Sequence, residues 1–488
     1  MSHAQVLVGS VPDPPDHHGG VRSRRGRGED HAYCLGLQRH LLHLPPGSTE
    51  KWLESHPNVE VEYTLTTWGS LGETIMAGIS SGETPDLFAC PQSVQASDAI
   101  SNGWYLPLSD YVDETAFDNW IDGAIMEGKG MQDGKVYMVP EQGSIASCLV
   151  LYNKDLWAAA GLTEEDIPET YSEFREVARI LTEAGNGESY GIVEGAAQID
   201  RVWVDLACWA DYSGGFYMTE DYLNLQTGMP DWNTQEIYDL MQLWADLYAD
   251  GSIHPNSATQ QAPDARAQFA NGQAGMIIQG WWNVGDWSVN YPDLNFGVFA
   301  PPVSDTAYEN GVKGFFPVET PTPFMGISAN CEYPEIAADY LMNVICGVDY
   351  QQTITNAGVQ YPFINGMSSS DAMHPLSKEY FSIVETNQRI IPEPILLNKD
   401  TAIALNLFMT PTPTPAEILQ GVMSGQITDF KPLLENYTTQ ASAAWLDALE
   451  EAQAMGANVS INDFAFPEWD GTTNFDAAAY EAHRAAQQ

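Results

Sequence analysis

The chain has 488 residues and a formal net charge of −47, with 66 acidic side chains against 19 basic ones. A chain of this length can form two or three domains with a large buried core. Its acidity excludes nucleic acid as a partner, because phosphates must be neutralised rather than repelled. An acidic surface suits a secreted or wall-exposed protein, although a salt-adapted proteome would give the same composition. No run of 18 apolar residues occurs, so we expect no transmembrane helix.

Six cysteines are spread along the sequence without a C-x-x-C pair or a cluster with histidine. This spacing indicates neither a zinc site nor a disulfide framework in a chain of this length. We therefore expect buried free thiols, and neither a metal nor a cofactor. The cysteines are Cys34, Cys90, Cys148, Cys208, Cys331 and Cys346.

Residues 1–50 differ in composition from the rest of the chain. They hold five arginines, six of the ten histidines and no lysine, and their formal charge is zero. They lack the charged start, apolar region and small-residue cleavage site of a secretory signal. The segment is a disordered basic arm, a cloning or start-site artefact, or a translation in the wrong frame, and the abrupt change favours the artefacts. We expect no strand before about Leu35.

From residue 49 onward, helix and strand patterns alternate, which is typical of an α/β fold with a largely parallel sheet. Runs of apolar or β-branched residues predict strands at 59–66, 86–90, 148–152 and 189–194. Helical composition or apolar residues three or four apart predict helices at 49–55, 70–80, 94–102, 170–184, 200–212, 234–248, 335–344, 347–355, 416–424 and 430–455.

The stretch 264–287 combines a helix, a strand and three tryptophans. A helix is predicted to end at Gly272, and an apolar strand covers 275–279. Gly280 breaks the strand, and Trp281, Trp282 and Trp287 follow. Aromatic rings at a strand end predict the lip of a ligand cleft in an open α/β sheet. The alternative is that all three rings are core, which is less favourable for the adjacent pair because neighbouring strand residues point in opposite directions.

Four motifs in order make the chain resemble the extracellular solute-binding proteins of ABC importers, in the large carbohydrate-binding family that includes maltose-binding proteins. The family patterns are "ASGxxPDVxx", "GxLxPL", "YNKDLFKKAGL" and "FxxGKAAMxxxGxW". They are matched at 80–88, at 103–108, at 152–162, and at 269–276 with Gly280 and Trp282. Two features depart from the family. The first strand and the lipoprotein signal with its cysteine are missing or replaced, and the usual Gly-rich stretch before the second crossover reads FFPVET at 315–320.

The resemblance implies an α/β fold of the two-lobed periplasmic-binding-protein type (type II), with the ligand cleft between the lobes. It implies three hinge crossings, which by order fall near 141–147, 316–324 and 358–363. The first lobe would then comprise 49–143 and 324–358, and the second 148–316 and 363–488, with 1–48 as the anomalous segment. The lobes would close over the ligand by hinge bending.

A sugar offers flat apolar faces and a rim of hydroxyls, so its site stacks aromatic rings and sets planar polar side chains at the rim. Trp282 is the first candidate for stacking and Trp281 the second, although Trp281 is alternatively a ring that packs inward and holds its neighbour. Trp68 follows the strand 59–66, where the family often places a ring; the alternative is a loop-packing ring.

Polar candidates come from strand ends and crossings. Gln92 follows the strand 86–90 and is alternatively a capping or surface residue. Glu141 and Gln142 lie at the first crossing, where a carboxylate accepts hydrogen bonds from two hydroxyls or from the hinge itself. The weaker candidates, each with a structural alternative, are Glu194, Trp209, Asp211, Glu319 and Tyr361.

The favoured function is therefore non-catalytic capture of an extracellular carbohydrate, an oligosaccharide by preference, and its delivery to the permease subunits of an ABC importer. We expect a monomer that is extracellular, at the cell surface or in the periplasm; the family is lipoprotein-anchored, but no leader is recognisable here. One alternative is a non-sugar ligand, such as a polyamine, which an acidic aromatic cleft would suit, or a peptide. Another is a secreted carbohydrate-active enzyme, which needs two carboxylates at a set separation. The sequence contains no G-x-S-x-G, H-E-x-x-H, P-loop or G-x-G-x-x-G motif.

Overall fold

A computed structural model describes residues 33–40, 48–66, 68–91, 94–121, 123–217, 222–367 and 371–486. The strands in this part of the chain are β1 (Tyr33–His40), β2 (Val59–Thr66), β3 (Leu87–Ala89), β4 (Tyr105–Leu106), β5 (Met126–Glu127), β6 (Gly130–Gln132), β7 (Lys135–Val136), β8 (Met138–Pro140), β9 (Leu149–Asn153), β10 (Tyr190–Ile192), β11 (Ala274–Gln279), β12 (Phe296–Phe299), β13 (Phe316–Val318), β14 (Pro323–Ser328) and β15 (Gln388–Ile390).

The α-helices are α1 (Ser48–Ser55), α2 (Trp68–Ser81), α3 (Ala96–Ser101), α4 (Lys154–Ala159), α5 (Tyr171–Gly185), α6 (Ile199–Tyr212), α7 (Gln235–Ala249), α8 (Ala262–Ala270), α9 (Trp282–Asn290), α10 (Asp305–Glu309), α11 (Pro334–Tyr340), α12 (Val348–Asn356), α13 (Pro375–Asn387), α14 (Pro394–Leu397), α15 (Thr401–Leu407), α16 (Pro415–Met423), α17 (Lys431–Ala454) and α18 (Ala477–Ala486).

Two mixed sheets form the centres of two lobes. In the first lobe the strand order is β2-β1-β3-β14-β4, with β8 also paired to β14. In the second lobe the order is β10-β11-β9-β12. The expectation of largely parallel sheets was wrong, because β14 runs antiparallel to its neighbours and β9 runs antiparallel to β11 and β12. Each of these two strands begins directly after a crossing and therefore runs away from the cleft. The neighbouring strands that end near the cleft run in the opposite direction.

Several helices begin at capping side chains. The Thr170 hydroxyl accepts a hydrogen bond from the Glu173 amide, and the Glu173 carboxylate accepts from the Thr170 amide, so α5 starts with a capping box. Thr414 and Glu417 form the same arrangement at α16. The predicted helices at 49–55, 170–184 and 234–248 are confirmed to within two residues at each end.

Each lobe has its own hydrophobic core, and the chain passes between them at three places. Val139 belongs to the first core and Ala146 to the second. On the return path, Val318 belongs to the second core and Phe324 to the first. The third passage is less sharply bounded, because Tyr361 packs against the second core before the chain returns to the first. Phe363, Ile364 and Met367 pack in the first core, and the second core resumes at Met373.

A third core, which the sequence did not predict, lies in the C-terminal part of the chain. It contains Trp445, Phe464 and Trp469 with Phe315 and Ile391. Helix α17 joins it to the second lobe, because Leu434, Tyr437 and Ala441 pack in the second core while the following turns of the same helix pack in the third. We refer to this unit as the C-terminal core.

The first strand was expected to be missing or replaced by the anomalous segment, and the structure has a strand within that segment. Strand β1 lies between β2 and β3 and pairs in parallel with β2 over its full length, from Tyr33 opposite Val59 to His40 opposite Thr66. In the sequence, Tyr33, Leu35 and Leu37 alternate with smaller or polar residues. Three alternating apolar residues are too few to identify a strand in a segment with so many basic residues.

The six cysteines were all expected to be free thiols, and for two of them this was wrong. Cys148, just before β9, forms a disulfide with Cys208 in α6, with a Cα–Cα distance of 6.4 Å. The two residues are 60 positions apart, so only the packing of α6 against the start of β9 brings them together. Cys90 and Cys331 are free thiols, as expected.

We predict that the double variant Cys148→Ala/Cys208→Ala has a lower free energy of unfolding than the native protein. Removing a cross-link that closes a loop of this length costs about 4 kcal/mol in the chain-entropy treatment. Urea unfolding monitored by tryptophan fluorescence measures the loss, with Cys331→Ala as the matched control at a free thiol. A change below about 1 kcal/mol would show that the disulfide does not constrain the fold.

Candidate functional site

A cavity of about 440 Å³ lies where the two lobes and the C-terminal core meet. Its walls combine the carboxyl end of β3 and the first two crossings with segments around α6, α14 and α15. The lining residues are Cys90, Pro91, Val94, Gln95, Ala96, Gly128, Lys129, Glu141, Gln142, Gly143, Ser144, Ile145, Ala146, Ser147, Val204, Cys208, Pro317, Val318, Glu319, Thr320, Pro321, Thr322, Pro323, Phe324, Ile391, Pro392, Glu393, Pro394, Ile395, Ala402 and Leu405. We refer to this cavity as the cleft.

The first crossing forms the floor of the cleft and is hydrogen-bonded to the segments beneath it. The Gly143 amide donates to the carbonyl oxygen of Tyr361 at 3.0 Å. A Cβ at Gly143 would lie 2.4 Å from the Pro362 carbonyl oxygen, so only glycine allows this approach. The Gln388 side chain accepts from the Ala146 amide at 3.1 Å and donates to the Ser144 carbonyl oxygen at 3.1 Å. The first and third crossings are therefore packed directly on each other.

An ion network crosses one wall of the cleft. The Lys129 ammonium lies 3.2 Å from Glu319 Oε2 and 2.5 Å from Glu393 Oε2, and it also donates to the Thr320 carbonyl oxygen at 3.1 Å. Glu393 Oε1 accepts from the Thr320 amide and hydroxyl at 2.8 and 2.6 Å. Burial by itself would lower the pKa of Lys129, but the two carboxylates outweigh it and hold that pKa above its usual value.

The network joins three separate parts of the chain. Lys129 lies in the turn between β5 and β6, Thr320 in the second crossing, and Glu393 directly before α14. Gly128 and Gly130 flank the lysine with φ of 89° and 80°, and a Cβ at Gly130 would lie 3.1 Å from Pro323. The glycines therefore let the turn approach the second crossing closely enough for the ammonium to reach it.

Three of the predicted site residues are brought together in the cleft: Glu141, Gln142 and Glu319. Tyr361 lies under the floor; its hydroxyl donates to Glu385 at 2.8 Å and its ring packs edge-on to Phe381. Gln92 lies outside the described residues. Trp68 begins α2, and its side chain lies outside the described part of the structure.

The tryptophan pair differs from the expected strand end, because Trp282 is the first residue of α9. Trp281 is 3% exposed and packs in the second core, with its ring edge-on to Trp282 and Tyr380. Trp282 is half-buried and folds back over Gly280. The Tyr380 hydroxyl lies 3.2 Å from the Gln279 carbonyl oxygen and 3.1 Å from that of Ala146, which places the end of β11 beside the cleft floor. Neither tryptophan lines the cleft itself.

Three predicted ligand contacts are corrected by the structure, because they are buried inside the second lobe. Trp209 is 1% exposed and its indole N–H donates to the Cys148 carbonyl oxygen at 3.0 Å. Asp211 is fully buried, and its Oδ1 accepts from the Tyr217 amide. Glu194 accepts from the Ile278 amide at 2.9 Å. The sequence could not show which face of α6 turns inward, because this helix is apolar on most sides.

Glu194 takes part in a buried charge cluster next to a cavity of about 10 Å³. Arg201 donates to Asp205 at 2.5 Å and to the Ser147 carbonyl and hydroxyl oxygens at 2.5 and 2.8 Å. Burial and the neighbouring Asp205 raise the pKa of Glu194 well above its usual value. Burial also raises the pKa of Asp205 to about 7, against the opposing effect of Arg201.

Sequence reasoning missed Lys129 and Glu393, which are the most connected polar residues of the cleft. One signal was present: Lys129 stands between two glycines in a chain with few basic residues. Glu393 carried no signal, because it is one of 66 acidic residues and lies 264 positions from its partner. Ser144 Oγ is buried in the cleft without a hydrogen-bond partner.

A family model describes the same architecture. Residues 46–343 match the model for bacterial extracellular solute-binding proteins, which covers more than half of the chain. The chain therefore belongs to this extracellular solute-binding family, whose members are binding components of ABC transporters. Among the described residues, none of the helices has the length and apolarity needed to cross a membrane.

Relatives and solved structures agree with this family. The chain is 24% identical over 280 residues to the sn-glycerol-3-phosphate-binding periplasmic protein of Agrobacterium fabrum (55% of this chain, 60% of the relative). It is 26% identical over 259 residues to the diacetylchitobiose binding protein of Streptomyces coelicolor (52% and 57%). The chain spans 50–65% of the length of the curated relatives it matches.

The fold is that of a maltose-binding protein. The maltose/maltodextrin-binding domain MalE from Bdellovibrio bacteriovorus, bound to maltotriose, superposes with a TM-score of 0.62 at 19% identity. The superposition covers 86% of this chain and 100% of that domain. The two-lobed type II architecture expected from the sequence is thereby confirmed.

We predict that Glu194→Gln changes the pH dependence of stability. A carboxyl whose pKa is raised on folding stabilises the protein below its unfolded pKa of about 4.3, and this stabilisation is lost as pH rises toward the folded pKa. As pH rises above about 4.3, the native protein should therefore lose stability relative to Glu194→Gln, by up to about 1.4 kcal/mol per pH unit. Urea unfolding at a series of pH values measures this, with the exposed Glu468→Gln as control. Parallel pH profiles for native protein and Glu194→Gln would contradict the assignment.

Proposed function

We propose that this protein binds an extracellular carbohydrate in the cleft and delivers it to the permease of an ABC importer, without chemical change to the ligand. The observation that carries the proposal is the cleft itself. Its floor and walls come from two lobes with separate cores and from the segments that join them. A volume of about 440 Å³ is in the range of small-molecule sites.

The arrangement supports closure on a ligand. A molecule in the cleft contacts both lobes, so it binds the closed form more strongly than the open form and shifts the population toward closure. The stacked crossings at Gly143 and Tyr361 supply a compact pivot. The permease then recognises the closed form.

The ligand contacts form part of the proposal. Glu141, Gln142 and Glu319 supply polar groups at the rim for hydroxyls. Trp282 does not line the cleft itself, but it lies after the end of β11, next to the floor, and we propose that it stacks on a sugar ring that extends beyond the lining, with Trp281 packed behind it. Trp68 and Gln92 remain predictions from the sequence for this site. Glu393 supports the proposal of binding without catalysis. Its two oxygens accept hydrogen bonds from Thr320 and Lys129, so this carboxylate cannot serve as one of the two acidic groups that a glycosidase needs.

A second candidate function is capture of a non-sugar ligand by the same cleft. The excess of carboxylates along the cleft favours a polyamine. Three relatives carry the name of a glycerol-phosphate-binding protein, which would instead require an anion site. A ligand screen separates these classes.

We predict that oligosaccharides raise the melting temperature and compact the protein. A ligand that binds only the folded state stabilises it by mass action, and closure lowers the radius of gyration. Differential scanning fluorimetry against maltose, cellobiose, xylobiose, N,N′-diacetylchitobiose, spermidine and a peptide mixture tests the ligand class, and small-angle scattering tests closure. Chromatography of the recovered ligand should show no product. Stabilisation by spermidine or peptides alone would replace the carbohydrate proposal with the second candidate.

We predict that Trp282→Ala weakens binding of the stabilising sugar at least tenfold, because truncating an aromatic contact costs about 1.5 kcal/mol or more. Isothermal titration calorimetry measures the change, after circular dichroism has shown that the variant is folded. Tyr308→Ala removes a half-exposed ring outside the cleft and should leave the affinity unchanged. Unchanged affinity in Trp282→Ala would remove this residue from the site.

A further inference from the structure

The charge of the cleft is negative among the described side chains that line it. These comprise three carboxylates, Glu141, Glu319 and Glu393, and one ammonium group, Lys129. Their formal sum is −2, in a chain whose total is −47. A ligand anion would therefore meet like charges inside a partly dehydrated cavity, where Coulomb repulsion is screened less than at the surface.

The single lysine has no donor left for a ligand. An ammonium carries three N–H groups, and Lys129 directs its own to Glu319 Oε2, Thr320 O and Glu393 Oε2. Its side chain is 12% exposed and that of Glu393 is 6% exposed. Turning the ammonium toward a ligand would leave a buried carboxylate without its counter-ion, which is strongly unfavourable.

Part of the backbone around the cleft has no donor available to a ligand. Six lining residues are prolines, which have no N–H: Pro91, Pro317, Pro321, Pro323, Pro392 and Pro394. The amides of Cys90, Gly143, Ala146, Thr320 and Ile391 already donate to protein acceptors. Part of the lining backbone therefore has no N–H to offer, while the carboxylates of Glu141, Glu319 and Glu393 accept from a ligand that brings its own donors.

We propose that the cleft selects a donor-rich saccharide that is uncharged or carries an amine, and rejects uronates, sugar phosphates and other anions, with Lys129 as the residue that sets this selectivity. This rests on the proposed carbohydrate function and deepens it. Hydroxyl and amine groups donate to the acceptor-rich wall, whereas phosphate and carboxylate groups only accept. Because Lys129 donates a hydrogen bond to Glu393, that ammonium proton is not available to an anionic ligand.

The test compares matched ligands on the full chain by calorimetry at low ionic strength. The ligands are cellobiose and maltose, their 2-amino-2-deoxy counterparts and their C6 uronates, with sn-glycerol 3-phosphate as a small anion. We expect a neutral or amine member to bind and its uronate to bind at least 100-fold more weakly, and sn-glycerol 3-phosphate not to bind. A uronate that binds as tightly as its neutral counterpart overturns the inference and leaves the proposed function intact. If no saccharide binds, the proposed function fails and this inference fails with it.

The role of Lys129 is tested by Glu393→Gln. The amide oxygen of glutamine still accepts from Thr320, but its NH₂ replaces Oε2 and no longer accepts from Lys129, so one ammonium proton becomes available to the ligand. We expect the preference for the neutral sugar over its uronate to fall at least tenfold. Glu319→Gln is the second variant should Glu393→Gln fail to fold, and the exposed Glu468→Gln makes the same charge change elsewhere. An equal loss of preference in Glu468→Gln would assign selectivity to net charge and overturn the role of Lys129.

Discussion

The bond on which the cleft depends is the contact of the Lys129 ammonium with Glu393 and Glu319. Replacing such a buried pair by apolar groups is often neutral for stability, but removing one partner is costly because the other charge remains buried. The network therefore acts mainly through geometry. It fixes the turn between β5 and β6, the second crossing and the segment before α14 at one point, and each contributes a wall of the cleft.

Local features of the sequence were sufficient to predict much of the fold. Strand β2 was placed at its observed bounds, and Thr170 with Glu173 marked the start of α5 through a capping box that needs only neighbouring residues. Motif order predicted the two-lobed architecture. These successes share a cause, since propensity, capping and hydrophobic period are properties of short segments.

The errors arose where distant segments meet. The Cys148–Cys208 disulfide and the Lys129–Glu393 pair join residues 60 and 264 positions apart, and neither partner marks the other in the sequence. Trp209 and Asp211 were misplaced because α6 is buried on most sides, so its period does not tell the cleft side from the core side. Trp281 and Trp282 were assigned to a strand end, but the chain turns into α9 at once and gives the two rings different environments.

Helix α17 has a mechanical consequence. Its 24 residues span about 36 Å as a continuous rod, and its first turns pack in the second lobe while its last turns pack in the C-terminal core. Because both units pack on the same rigid helix, the C-terminal core moves with the second lobe and not as an independent unit. The Lys129 network connects that moving assembly to the β5–β6 turn. In the proposed closure, an axis that passes near this lysine would leave the ion network intact, and the part of the cleft beside it would change its shape least.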